Sequence, residues 1–188
     1  MKGIVYMLKN KWFDFYKHRV NNSYEEYFNK KYSVFLNYLK LHIKPNYNVL
    51  EIGCGTSLVT KYLYKNDINF KVIDNNRNML ELSSINLKNK KVINEIFDIR
   101  NQLKGKYDVI YSHGVLEHFN PNPLHQIIKN QLKVCKFLVH YVPSEKYQTP
   151  SFGDEMLLNK KGWKELANPD KIIGFNNDFD LILIWDRR

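Results

Sequence analysis

The apolar run Val49-Leu50-Glu51-Ile52 stops at Gly53-Cys54-Gly55-Thr56-Ser57, and a helical pattern starts directly after it. The two glycines let the backbone turn sharply and approach a ligand with no Cβ in the way. The helix that follows presents N–H groups at its start. A dinucleotide site would direct those donors at a pyrophosphate and would normally carry a third glycine. Here Glu51 stands at the strand end instead. A carboxylate is unwelcome beside a pyrophosphate and comfortable beside a cationic ligand.

Around this turn the chain alternates short apolar runs with helical ones. Strands are predicted at 48–52, 70–73, 92–97, 109–112 and 137–142, with helices at 57–66, 78–88, 123–134 and 159–166. That rhythm predicts a mostly parallel sheet with helices on both faces. Two β-rich runs, 171–175 and 181–185, flank Asn176-Asn177-Asp178-Phe179-Asp180 and read as a hairpin, so the sheet ends on an antiparallel strand. The expected fold class is α/β, a three-layer sandwich around seven strands with the last reversed. Before the sheet, Tyr24, Tyr27, Phe28, Tyr32, Phe35, Leu36, Leu39 and Ile43 recur at helical spacing. Ser23 with Glu25 and Glu26 reads as the helix start, and Pro45-Asn46 as its end. The chain is expected to form one domain, with 1–44 as a helical segment and 45–188 as the core.

Composition limits the partners. A length of 188 residues suits one domain, and 44% hydrophobic with 26% charged residues is ordinary globular composition. No apolar run approaches the ~18 residues of a membrane span. The start, Met1 to Leu8, meets Lys9 and Lys11 too soon for a secretory signal, so a cytoplasmic protein with no membrane partner is expected. The net charge of +10 is concentrated in the first 48 residues and admits nucleic acid as a lesser alternative, since a diffuse lysine excess is usually a solvated surface. Cys54 and Cys135 lack paired-ligand spacing, which argues against a disulfide framework and a structural zinc site. No metal ligand is assigned.

Glu51, Asp74 and Asp98 end three consecutive strands beside the glycine turn. From such positions acids accept ribose hydroxyls and an exocyclic amine. Together they make a pocket for a nucleoside with a positive tail. Further on, a strand ends in Ser112-His113-Gly114 and runs into Val115-Leu116-Glu117-His118. These residues resemble the class I S-adenosylmethionine-dependent methyltransferases, in particular the type 11/12-like group, most closely over residues 46–145. The resemblance implies S-adenosylmethionine as cofactor and S-adenosylhomocysteine as product. It places Glu51, Gly53 and Gly55 on the methionine part, Asp74 with Asn75 on the ribose, and Asp98 with Ile99 on the adenine. Ser112 and His113 would lie beside the methyl group. Ser57 departs from the family, which often has a third glycine there.

His113 is the first candidate base and His118 the second, although the Glu117-His118 pair also suits a structural or cofactor-ordering role. His140, inside a strand, reads as packed, and His125 as a helix-surface residue. The loop after the fifth strand offers Tyr147, Asp154 and Glu155 as substrate contacts. The two acids could equally cap the next helix or pair with lysines. The stripe Tyr24, Tyr27, Phe28, Tyr32 reads mainly as core, with one or two rings closing the acceptor pocket. The chain lacks an Asn/Asp-Pro-Pro-aromatic segment and a Pro-Cys nucleophile, features that go with nucleobase acceptors. The expected reaction is methyl transfer to an O or N atom of a small molecule. The alternatives are an RNA or protein methyltransferase docking through its basic N-terminal helix, and a non-catalytic partner subunit that keeps the fold.

Overall fold

A computed structural model of the chain describes residues 11–148 and 154–188. A short helical segment at 11–16 is followed by α1 (Asn22–Lys31), α2 (Ser33–His42), β1 (Asn48–Ile52), α3 (Leu58–Leu63), β2 (Asn69–Asp74), α4 (Arg77–Asn86), β3 (Val92–Ile96) and β4 (Tyr107–His113). Then come α5 (Pro121–Leu132), β5 (Cys135–Pro143), α6 (Lys160–Ala167), β6 (Lys171–Phe175) and β7 (Asp180–Asp186), with 3-10 turns at Leu116–His118 and Glu145–Tyr147. The seven strands form one sheet in the order β3-β2-β1-β4-β5-β7-β6. β1 to β5 are parallel, and β7 lies antiparallel to both β5 and β6. The expected sheet with its reversed last strand is therefore present.

The chain moves outward in one direction through β1, β2 and β3 and in the other through β4 and β5. Open α/β sheets bind ligands where that order reverses, outside the carboxyl ends of the strands. Here that crevice lies beyond Ile52 and Ser112, which are paired across β1 and β4.

Strand alternation sorts side chains into two cores. Val109 and Tyr111 of β4, with Phe137, Val139 and Tyr141 of β5, pack on one face with Phe28, Phe35, Leu36, Leu39 and Leu63. Ile110, Leu138 and Val142 face the other way, onto Leu124, Ile127, Trp163 and Ala167. The helices α1 and α2 thus bury their apolar stripe on the sheet.

Several boundaries differ from the sequence reading. The N-terminal helix is two helices, interrupted at Tyr32 (φ −101°, ψ 18°), whose ring packs edge-on 4.2 Å from His113. Its cap is Asn21, whose side chain accepts from the Tyr24 N–H at 2.9 Å, rather than Ser23. α3 is shorter than 57–66 because Ser57 takes a left-handed conformation and Tyr64 turns extended. β3 is an edge strand, so Ile93 and Ile96 are exposed despite their apolar character. Among the described residues no helix is long and apolar enough to cross a membrane.

Phe35 is fully buried at the α2–sheet contact. Truncating a buried phenylalanine costs about 3–5 kcal/mol. Phe35→Ala should lower stability by that amount in urea denaturation while leaving one cooperative transition. Two separated transitions would mean that α1 and α2 unfold apart from the sheet.

Candidate active site

The turn after β1 places three left-handed residues at alternate positions: Gly53 (φ 58°), Gly55 (φ 53°) and Ser57 (φ 57°). A Cβ on Gly53 would lie 2.6 Å from Val115 Cγ2, so both conformation and space require glycine there. Ser57 adopts the same conformation at a cost of about 1–2 kcal/mol for a side chain with a Cβ. Its hydroxyl is bonded to that of Ser83 at 2.7 Å, a contact glycine could not make.

Asp74, at the end of β2, holds this turn. Its Oδ2 accepts from Gly55 N at 2.9 Å and its Oδ1 from Asn76 N at 2.8 Å. Glu51 lies beneath, buried, accepting from Thr60 Oγ1 at 2.5 Å, and Thr60 in turn contacts Tyr111 Oη at 2.7 Å. Burial pushes the Glu51 carboxyl up to about 8, against the opposing pull of its Thr60 hydrogen bond.

Glu51, Gly53, Gly55 and Asp74 line one end of a cavity of about 840 Å³, with Asn75, Phe97, Ile99 and Arg100 beside them. Asp98 lies outside the lining and is paired with Arg100, whose Nε lies 2.9 Å from Oδ1. Ser112 is fully buried and also outside it, bonded to His140 Nδ1 at 2.6 Å. His140 in turn meets Gln131 Oε1 at 2.8 Å, so this histidine is packed, as its place in a strand suggested.

The other end of the cavity is aromatic. His113 stacks on Tyr141 at 4.2 Å with an interplanar angle of 11°, and Tyr32, Phe28 and Phe35 surround the pair. Tyr147 also lines this end. Both Tyr147 and Tyr141 donate to Oδ1 of the buried Asp180, at 2.8 and 2.7 Å. Trp12, Phe15 and Tyr16 complete the wall. These three and Asp180 were not singled out from sequence: the rings precede any periodic helix, and Asp180 sits among turn residues.

Two buried polar atoms on this wall lack a hydrogen-bond partner among the described residues: His113 Nε2 and Glu117 Oε2. Burial pushes the His113 imidazole down to about 3 and the Glu117 carboxyl up to about 7. His118 contacts Asp154 Oδ1 through Nδ1 at 3.1 Å, and Glu155 lines the cavity beside them. His118, Asp154 and Glu155 each offer a ligand atom within 4.8 Å of the others. No metal ligand was expected from sequence, because 36 residues separate His118 from Asp154.

Residues 50–136 match the family model described as a methyltransferase domain. No curated protein matches the chain in sequence. Among solved structures, the PH0226 protein from Pyrococcus horikoshii OT3 is 14% identical with a TM-score of 0.76, covering 93% of this chain and 99% of that one. Magnesium protoporphyrin IX methyltransferase from Synechocystis PCC 6803, solved with bound SAH, is 14% identical with a TM-score of 0.65 over 82% and 81% of the two chains. TehB from Haemophilus influenzae is 18% identical with a TM-score of 0.67 over 87% and 67%. At these identities the likeness is one of fold.

Two tests follow from the geometry. Gly53→Ala should destabilise by steric overlap plus left-handed strain. Adding Val115→Ala should recover the overlap part and leave roughly 1–2 kcal/mol, read by urea denaturation. If the second substitution recovers nothing, the Val115 contact is not what excludes a side chain.

The second test concerns pH. Between 6.5 and 8 the buried His113 and His140 are neutral in the folded state, while folded Glu117 and Glu51 release protons that unfolded carboxyls, at 4.5, have already lost. Stability should therefore fall as pH rises through 7 and 8, by up to ~1.4 kcal/mol per pH unit per group. Between 4.5 and 6.5 the buried neutral His113 and His140, both near 3, oppose that trend, and below 4.5 they make stability fall with falling pH. Glu117→Gln should flatten the slope above pH 6.5 in a series of melting curves. An unchanged slope would remove Glu117 as a source.

Proposed function

Because residues 50–136 match a methyltransferase-domain family model, we propose that the chain transfers the methyl group of S-adenosylmethionine to an O or N atom of a small molecule held in the cavity. The cofactor supplies a methyl group on sulfonium, already electrophilic. The protein's work is to align an acceptor with it and to exclude water. The observation that carries the reading is one cavity with two unlike ends: a Cβ-free turn braced by Asp74, and an aromatic wall with unpartnered His113 Nε2 and Glu117 Oε2.

At the first end, Gly53 and Gly55 admit the methionine part without a side-chain clash. Glu51 lies where it can meet the positive charge of the ligand's amino-acid tail. Asp74 and Asn75 face the ribose. Ile99, with Phe97, forms the apolar adenine wall. Asp98 and Ser112, outside the lining, support the site from behind: Asp98 holds Arg100, and Ser112 fixes His140.

At the second end, His113 is neutral across the working pH range. A neutral imidazole keeps one ring N–H and one acceptor nitrogen, and with so low a pKa His113 is a weak base, so it orients the acceptor by hydrogen bonding through Nε2 rather than by taking its proton. Glu117 is the stronger base of the two, with a carboxyl near 7. Tyr147, held by Asp180, and Asp154 with Glu155 frame the acceptor. The largely aromatic wall of the acceptor end favours a small acceptor over RNA or protein.

Thermal unfolding with and without S-adenosylhomocysteine, with NAD as control, tests this. Ligand at about 100 times its dissociation constant stabilises by roughly 2.7 kcal/mol, a rise of roughly 5–10 °C for a chain of this size. The rise should appear with S-adenosylhomocysteine only and vanish in Asp74→Ala. A chain that responds to neither ligand is not this enzyme.

A further inference from the structure

We propose that His118, Asp154 and Glu155 bind one divalent transition-metal ion at the acceptor end of the cavity. Their ligand atoms all lie within 4.8 Å of one another. His118 Nδ1 and Asp154 Oδ1 are 3.1 Å apart, the spacing of two neighbouring ligands that each stand about 2.1 Å from a shared ion.

The group is braced from both chain segments that supply it. His118 ends the 3-10 turn Leu116–His118, and Met156 N donates to Glu117 O at 2.7 Å, tying that turn to the segment carrying both acids. The Trp12 ring meets the His118 ring edge-on at 5.4 Å, an apolar flank of the kind that limits water around a metal and its ligands.

A separate observation also points to a cation. Glu117, next to His118, is 3% exposed and lines the same cavity, and its Oε2 has no hydrogen-bond partner among the described residues. A buried polar atom is rarely left so. Glu117 stands outside the three-ligand group, so a water carried on the bound ion is the partner that oxygen lacks.

The donor set selects the ion. One imidazole with carboxylates suits Mn2+, Fe2+ or Zn2+, whereas Mg2+ and Ca2+ prefer oxygen alone and Cu+ prefers sulfur. The positions left open by three protein ligands face the cavity, where an oxygen atom of an acceptor can take one of them. Metal binding itself is independent of the nucleoside end; only the acceptor oxygen as an added ligand rests on the methyl-transfer reading.

The test uses the tag-free chain, stripped with a chelator and kept free of nucleoside ligands. Mn2+ is titrated in while the free-ion paramagnetic resonance signal is followed, and Zn2+ binding is measured by calorimetry. One ion per chain is expected, weakened about tenfold or more in His118→Ala and in Asp154→Asn/Glu155→Gln, and unchanged in His18→Ala, an exposed control. Circular dichroism and the S-adenosylhomocysteine melting shift check that each variant is folded. No binding of Mn2+ or Zn2+ by the wild type overturns the proposal, as does binding that survives His118→Ala. Equal affinity for Mg2+ and Mn2+ also overturns it, because the imidazole is then not a ligand. If metal binding fails while the S-adenosylhomocysteine shift persists, the methyl-transfer reading stands without the ion.

Discussion

Two backbone N–H groups, those of Gly55 and Asn76, end on the carboxylate of Asp74. The first belongs to the turn leaving β1 and the second to the turn leaving β2, so one side chain sets how two neighbouring strand ends are shaped. Backbone donors at a buried turn must find acceptors: Asp74 meets that need for Gly55, while the Ser57 N–H donates to Cys54 O at 2.7 Å. The turn stays open because Gly53 presents no Cβ to Val115. The floor of the cavity is therefore in part a backbone surface at Gly53 and Gly55, with the Glu51 and Asp74 side chains beside it.

The opposite wall is built on different physics. His113 stacks on Tyr141 while Tyr32 packs edge-on to both, and the Asp180 carboxylate anchors the hydroxyls of Tyr141 and Tyr147 from outside the cavity. Asp180 opens β7, and Asn176 in the preceding turn donates to its second oxygen at 2.6 Å. The reversed last strand thus does more than complete the sheet: it delivers a buried acceptor to the back of the acceptor end. The same burial that orders these rings strips His113 of its usual basicity and leaves Glu117 as the more basic group.

Ser57 joins these two themes. A serine where glycine is conformationally easier is held by its bond to Ser83 of α4. The local strain is offset by a tertiary hydrogen bond, a compensation that the spacing of residues along the chain does not reveal.

The strand positions, the reversed hairpin and the glycine turn were legible in the sequence because they depend on short-range rules: alternation at period two, helical spacing, and the few residues that tolerate a left-handed backbone. Glu51, Asp74 and Asn75 could be placed at strand ends for the same reason. The break at Tyr32, the outward position of β3 and the displacement of Ser112 and Asp98 from the cavity lining could not, since each follows from what a distant segment packs against. Whether a strand-end acid faces the cavity or an arginine two residues on is a matter of side-chain direction, to which periodicity is blind. So too the meeting of His118 with Asp154 and Glu155, and the trapping of His113 among aromatic rings, belong to tertiary structure alone. Residues brought together across 36 positions, and pKa values set by burial, exist only once the chain has closed around them.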